Sequence, residues 1–407
     1  MTRLLAAPPS LPPPRRRPRW RWLLWLLLLA AAARVFVFES LVVASGSMEP
    51  LLHGDPARGD ELLVLRHAWR VVPPGRFDLV VFERDDSAAR SDERVVVKRV
   101  LAVGGEAVRI AGGELFVRAV GAGDERPLVK SHVEFRDLLV PLWREPFDGD
   151  LMARLVPLAG GAVERVGREL HLDAADGASG CGVRLAGAAA EFDDGWLGAD
   201  GTRQRGTEAV GDLCFRFDLA VDTALTALQV EFTVADRRCK LVATQLAGRW
   251  RIALDLLDLD GGTSPRAAIG TAAAVQLGTP QRFEFWHVDG RVGVAVDGTV
   301  ALEEALEYRR DLLLQGSPVS PPELRVSNGR ARLTGAEVLR DLHWTTPQDA
   351  PFACGDEPYE VPADALFVLG DASAASTDSR HYGAVALASL RGQPLAIWRP
   401  SGRRRRL

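Results

Sequence analysis

Cysteine is scarce in this 407-residue sequence: Cys181, Cys214, Cys239 and Cys354 are its whole complement, and no two form a CxxC pair. That excludes a disulfide scaffold and offers no zinc-ligand pattern. The thiols are read either as buried and free or, if the body lies outside the cytoplasm, as one or two disulfides such as Cys214 to Cys239. An excess of one charge is missing too, since 50 Lys and Arg against 54 Asp and Glu leave a net charge of -4. A nucleic-acid-binding domain is usually strongly basic, so nucleic acid is not an expected partner. The seven histidines (His53, His67, His132, His171, His287, His343 and His381) show no metal-ligand spacing, and His381 is read as structural or surface. The run Asp255-Leu-Leu-Asp-Leu-Asp-Gly-Gly lacks the spacing and terminal glutamate of a calcium loop and reads as a solvated turn. No metal or cofactor is expected, and no internal repeat is visible.

Long apolar runs are also few. The clearest, Trp22 to Ala33, follows Arg15, Arg16, Arg17, Arg19 and Arg21. It is shorter than the roughly 20 residues a bilayer core requires. Snorkelling of Arg21 and Arg34, with Val35 to Phe38 beyond, lengthens the usable span. The segment leads straight into the residues assigned below to chemistry, so an uncleaved anchor over 20–38 is expected rather than a removed signal peptide. The basic flank places the N-terminus in the cytoplasm and the body outside it. Residues 1–19, rich in Pro and Arg, read as a disordered tail.

Beyond the anchor, short apolar runs such as Glu61-Leu-Leu-Val-Leu, Leu79-Val-Val-Phe and Glu114-Leu-Phe-Val-Arg alternate with turn signals at Gly59-Asp60, Pro73-Pro74-Gly75 and Gly112-Gly113. This is a β pattern. From 124 to 346 the spacing changes to longer period-two runs, among them Leu228-Gln-Val-Glu-Phe-Thr-Val and Phe283-Glu-Phe-Trp-His-Val. Such runs predict an antiparallel sandwich, similar to lectin-like jelly rolls though without a specific motif. Ala365-Leu-Phe-Val-Leu-Gly returns to the first style.

Three blocks carry candidate chemistry. Ser45-Gly-Ser-Met-Glu-Pro-Leu-Leu places Ser47 in a tight turn shortly after the apolar segment. Lys98 stands inside Val95-Val-Val-Lys-Arg-Val-Leu, where burial disfavours the ammonium and prepares a neutral amine to accept a proton. A serine hydroxyl needs such a base before it becomes a useful nucleophile. The third block is Gly370-Asp-Ala-Ser-Ala-Ala-Ser-Thr-Asp-Ser-Arg. Together they resemble the type I signal peptidase (leader peptidase) family, whose blocks read Ser-x-Ser-Met-x-Pro-Thr-Leu, Lys-Arg-Val-x-Gly-x-Pro-Gly-Asp and Gly-Asp-Asn-x-x-x-Ser-x-Asp-Ser-Arg. This sequence departs from them at Leu51, Ala102, Gly104, Glu106 and Ala372, and carries Phe77 at a usual glycine position.

The resemblance implies a single-pass membrane protease at the plasma (inner) membrane, with a β-barrel catalytic body in two parts, 39–123 and 347–400, interrupted by the 124–346 sandwich and followed by a basic tail, 401–407. Its implied substrates are exported preproteins, cut after small residues, and its other neighbour is the lipid bilayer; the insert's partner stays open. Ser47 would be the nucleophile and Lys98 the general base. Ser45 would assist the oxyanion, Ser376 would orient Lys98, and Asp378 with Arg380 would support the loop. Ala372 implies the loss of one supporting hydrogen bond. Two other readings are a self-cleaving repressor-type Ser–Lys protease, disfavoured by the anchor, and an inactive relative whose insert is a binding module. Because no nominated residue lies in the insert, it is expected to be removable.

Overall fold

The computed structural model describes residues 37–84, 94–144, 154–174, 180–186, 192–198, 200–234, 237–258, 268–306, 320 and 322–407, together with Trp22, Trp25 and Leu26. Those last three are helical and exposed; the rest of the expected anchor up to residue 36, and the tail before it, lie outside the described residues. Among the described residues no helix is long and apolar enough to cross a membrane.

The chain is mainly β. An eight-stranded antiparallel sheet runs in the order Phe38–Val42, Glu61–Arg66, Leu390–Arg399, Leu79–Glu83, Val95–Val103, Ala365–Leu369, Val385–Ala386, with Arg405–Arg406 beside Leu390–Arg399. Alternation explains Glu61–Arg66, where Leu62 and Val64 are buried while their neighbours are not. A second sheet of four strands (Tyr359–Glu360, Ala107–Ala111, Glu114–Arg118, Arg126–Pro127) packs on the first. Val108, Ile110 and Leu115 from one meet Leu101, Phe367 and Leu369 from the other. The body, expected as a signal-peptidase-like β-barrel, is thus built from two packed antiparallel sheets.

The middle of the chain forms two antiparallel sheets face to face. One includes Glu169–Ala174, Gly329–Arg340, Leu213–Val221, Gln281–Val288 and Arg291–Val296; the other includes Arg249–Asp258, Arg237–Leu246, Ala227–Val234, Glu323–Ser327 and Cys181–Leu185. Their inward residues, with Trp250 and Phe283 at the centre, make the largest apolar cluster. Arg249–Asp258 is a strand through Asp258, so Asp255 is not in the solvated turn expected there; residues 259–262 are outside the described set. Its Leu254 and Leu256 are buried, which explains why strand pairing wins over the acidic punctuation. All four cysteines are free. Cys214 faces Phe135 and Trp286 outside the sandwich, whereas Cys239 points into its interior, so the two cannot bridge.

The two bodies are knitted at their junction. Helix His132–Leu138 starts with a capping box, Ser131 Oγ accepting from Glu134 N while Glu134 Oε2 accepts from Ser131 N at 2.8 Å. Its Phe135 packs on the sandwich residues Trp286 and Leu339, and its Leu138 packs with Leu342 and Trp344 in the cluster between the other two sheets. Beside it, buried Lys130 places Nζ 2.8 Å from Asp289 and 2.7 Å from Asp341. Val140–Arg144 then enters the sandwich by pairing with Gly329–Arg340.

Candidate active site

Ser47 occupies the one-turn 3-10 helix Gly46–Met48, just past the end of Phe38–Val42. Met48 and Leu52 are almost wholly buried and anchor this loop. The fold brings Gly54 against Ser45, where a Cβ would lie 1.9 Å from the Ser45 carbonyl oxygen, so only glycine fits.

Lys98 sits in the Val95–Val103 strand opposite Val80, with 2% of its surface exposed. Its Nζ donates to Ser376 Oγ at 3.0 Å. Burial lowers its pKa from 10.5 to about 8, with Asp378 pulling the other way. Its ammonium is therefore more acidic than that of an ordinary exposed lysine and gives up its proton more readily.

Ser376 ends the short turn Ser373–Ala375, which packs on the Ser47 turn. Gly370 makes that approach feasible. A Cβ there would lie 2.3 Å from Ser376 Oγ and 2.4 Å from the Ser47 carbonyl oxygen. Two residues on, Ala372 N donates to the same Ser47 carbonyl at 3.1 Å. Position 372 thus grips the Ser47 loop through its backbone, a contact indifferent to side-chain identity and so illegible in the sequence.

Asp378 and Arg380 are fully buried and bidentate: Arg380 Nε donates to Asp378 Oδ1 at 2.9 Å and Nη2 to Oδ2 at 2.8 Å. Asp378 also accepts from Gly370 N at 3.1 Å and caps the helix Ser379–Tyr382. His381 joins the cap, its Nδ1 accepting from Asp378 N at 3.3 Å, a structural placement. Arg380 further donates to Ser373 Oγ and to the Thr345 carbonyl, at 2.8 and 2.7 Å. Arg99 forks onto Asp371 at 2.7 and 2.5 Å. Arg99 and Asp371 lie in two separate sequence blocks, which do not reveal that they pair, and Thr345 lies in none of the three.

One contact is not formed. Ser47 Oγ shares its hydrogen bond with Ser45 Oγ at 3.3 Å, and no hydrogen bond joins it to Lys98 among the described residues. Catalytic hydrogen bonds are often long or unformed until substrate is present.

Away from this loop, Glu114, Asp212 and Asp289 bring one carboxylate oxygen each within 4.8 Å of the others, at the junction that Lys130 occupies. None was singled out in the sequence, because the three come from separate segments.

The sequence model for "Signal peptidase, peptidase S26" matches residues 19–138 and 304–399. The chain belongs to this family. Among its relatives, a probable signal peptidase I-2 of Synechocystis sp. is 32% identical over 85 residues, covering 21% of this chain and 37% of that protein. A signal peptidase I of Leptolyngbya laminosa is 27% identical over 104 residues, covering 25% of this chain and 46% of that one. This peptidase S26 chain thus matches less than half the length of these curated relatives. Among solved structures it is similar to a Bacillus subtilis protein with a galectin-like fold, at 15% identity and TM-score 0.33, over 50% of this chain and 97% of that one. It is also similar to Caenorhabditis elegans galectin LEC-6, at 14% identity and TM-score 0.23, over 32% of this chain and 87% of that one.

Proposed function

We propose that this chain is a type I signal peptidase, a serine endopeptidase that cleaves exported preproteins after small residues. The observation that carries the reading is Lys98, a buried amine lowered to about 8 and held by Ser376, in a site whose backbone also holds Ser47. In this mechanism Ser47 Oγ attacks the scissile carbonyl as Lys98 Nζ takes its proton, and Lys98 then delivers that proton to the leaving amine. The Ser47 N–H and Ser45 hydroxyl stabilise the oxyanion, at about 10²–10³ in rate per donor. Asp378 and Arg380 keep the Ser376 loop in place. The apolar segment from residue 20 anchors the protein in the plasma (inner) membrane, with the catalytic body on the outer side. It ends short of Phe38, which was expected to close the span but opens the strand Phe38–Val42 and pairs with Leu65.

The deciding experiment is cleavage of a labelled preprotein by wild type and by Ser47→Ala and Lys98→Ala. Each variant should lose processing, and the double variant should be no worse, because the two act as one unit. Processing retained by Lys98→Ala would refute the mechanism.

A further inference from the structure

Between the nucleophile loop, the entrance to the sandwich and the C-terminal tail lies a cavity of about 420 Å³ that this mechanism does not use. Its wall carries Arg99, Arg144, Arg403 and Arg405 against Asp137 and Asp371. The acids do not balance the arginines. Asp371 is taken up by the two-pronged contact with Arg99. Arg403 is bidentate on Asp60, with Nε 2.8 Å from Oδ1 and Nη2 2.9 Å from Oδ2. Arg144 reaches Glu337 at 2.6 Å, but that carboxylate also serves Arg216 at 3.2 Å and Arg282 at 3.0 Å.

Arg405 is the outlier. It donates to the Leu51 carbonyl and forms no ion pair among the described residues. Burial lowers its pKa, and Arg403, Arg144 and Arg99 push the same way against Asp60. A guanidinium presents five donors in a planar fork that matches an oxyanion's geometry. Here one such fork lines the cavity among three others, with a single carbonyl to satisfy it. Asp137, exposed at the cavity's edge, has no arginine partner among the described residues.

We propose that this cavity is an anion site that takes a phosphate group, with Arg405 and Arg144 as its principal donors. Charge-assisted, forked contacts are the chemistry by which arginine selects phosphate over chloride. A soluble phosphate monoester and a phospholipid headgroup offer the same group. Because Pro50 and Leu51 also line the cavity, an occupant touches the loop that carries Ser47.

The test uses the full chain in detergent and follows its thermal unfolding midpoint. One arm titrates inorganic phosphate against chloride at equal ionic strength. The other compares micelles carrying phosphatidylglycerol with micelles carrying phosphatidylcholine. A ligand that binds only the folded state raises the midpoint saturably. A rise with phosphate alone identifies a soluble group, and a rise with phosphatidylglycerol only identifies a headgroup. Arg405→Gln should weaken the effect by about tenfold, the loss expected for one charge-assisted contact; adding Arg144→Gln should remove it. Each variant is read against its own ligand-free midpoint. No rise in either arm, or a rise undiminished in Arg405→Gln, overturns the proposal, and neither result bears on peptide cleavage.

Discussion

In the proposed mechanism Lys98 sets the pH behaviour of the site. With its pKa lowered to about 8 by burial, cleavage should rise through pH 8 as the amine loses its proton. A rate–pH profile of preprotein cleavage measures this, and an acid optimum would point to a carboxylate base instead. The same shift has a sign for stability. Unfolded, the lysine returns to 10.5, so between about 8 and 10.5 the unfolded state binds more protons. The destabilising contribution of Lys98 is therefore full below pH 8 and fades as pH rises through that window. Ser376→Ala removes the hydrogen bond that orients the amine; a bond to a charged group contributes about 1.5–3 kcal/mol, so kcat should fall roughly ten- to a hundredfold. Gly370→Ala tests the close approach. Its Cβ would strike both Ser376 Oγ and the Ser47 carbonyl, so cleavage should fall even though no functional group is removed. The resemblance of three sequence blocks to the signal peptidase family made Ser47, Lys98, Ser376, Asp378 and Arg380 legible as candidates. The role of position 370 was hidden, because a glycine's reason lies in what its missing Cβ would touch. Phe77 is a related case: it sits at φ 70, in the left-handed region that favours glycine, and its carbonyl accepts from Arg99 at 2.8 Å.

Among the elements, strands were legible where apolar residues alternate without acidic interruption. The runs at 228–234 and 283–288 alternate in sequence and lie in Ala227–Val234 and Gln281–Val288, both lining the sandwich. The stretch at 249–258 was not, because its aspartates sit on a strand whose apolar residues decide the outcome. Nor could short-range pattern show that Leu390–Arg399 inserts between Glu61–Arg66 and Leu79–Glu83, since that pairing spans the whole chain. Trp250 tests the sandwich as an element. It is fully buried, donates from Nε1 to Gln281 at 3.0 Å and meets Phe283 edge to face. Trp250→Ala should cost the sandwich about 3–5 kcal/mol, read as an earlier transition in urea by tryptophan fluorescence.

At the scale of the molecule, the insert is less separable than its lack of nominated residues suggested. Leu138, Val140, Leu342 and Trp344 all belong to the cluster between the sheets of the first body. Thr345 holds Arg380 through its carbonyl and takes Ser373 Oγ with its N–H at 2.9 Å. Replacing residues 130–345 by a Gly/Ser linker should therefore yield a poorly folded and inactive chain. A shorter excision that keeps 126–144 and 340–407 should retain more helical and strand signal in circular dichroism and more cleavage. Equal activity from both deletion variants would show that the junction is dispensable. The return segment has one more consequence. It runs from Asp341, pinned to Lys130, to Thr345, pinned to Arg380. A force applied to the sandwich would travel along those few residues and reach the loop behind Lys98 before it reached the Ser47 turn. Pulled from outside, this molecule should lose its grip on the lysine first.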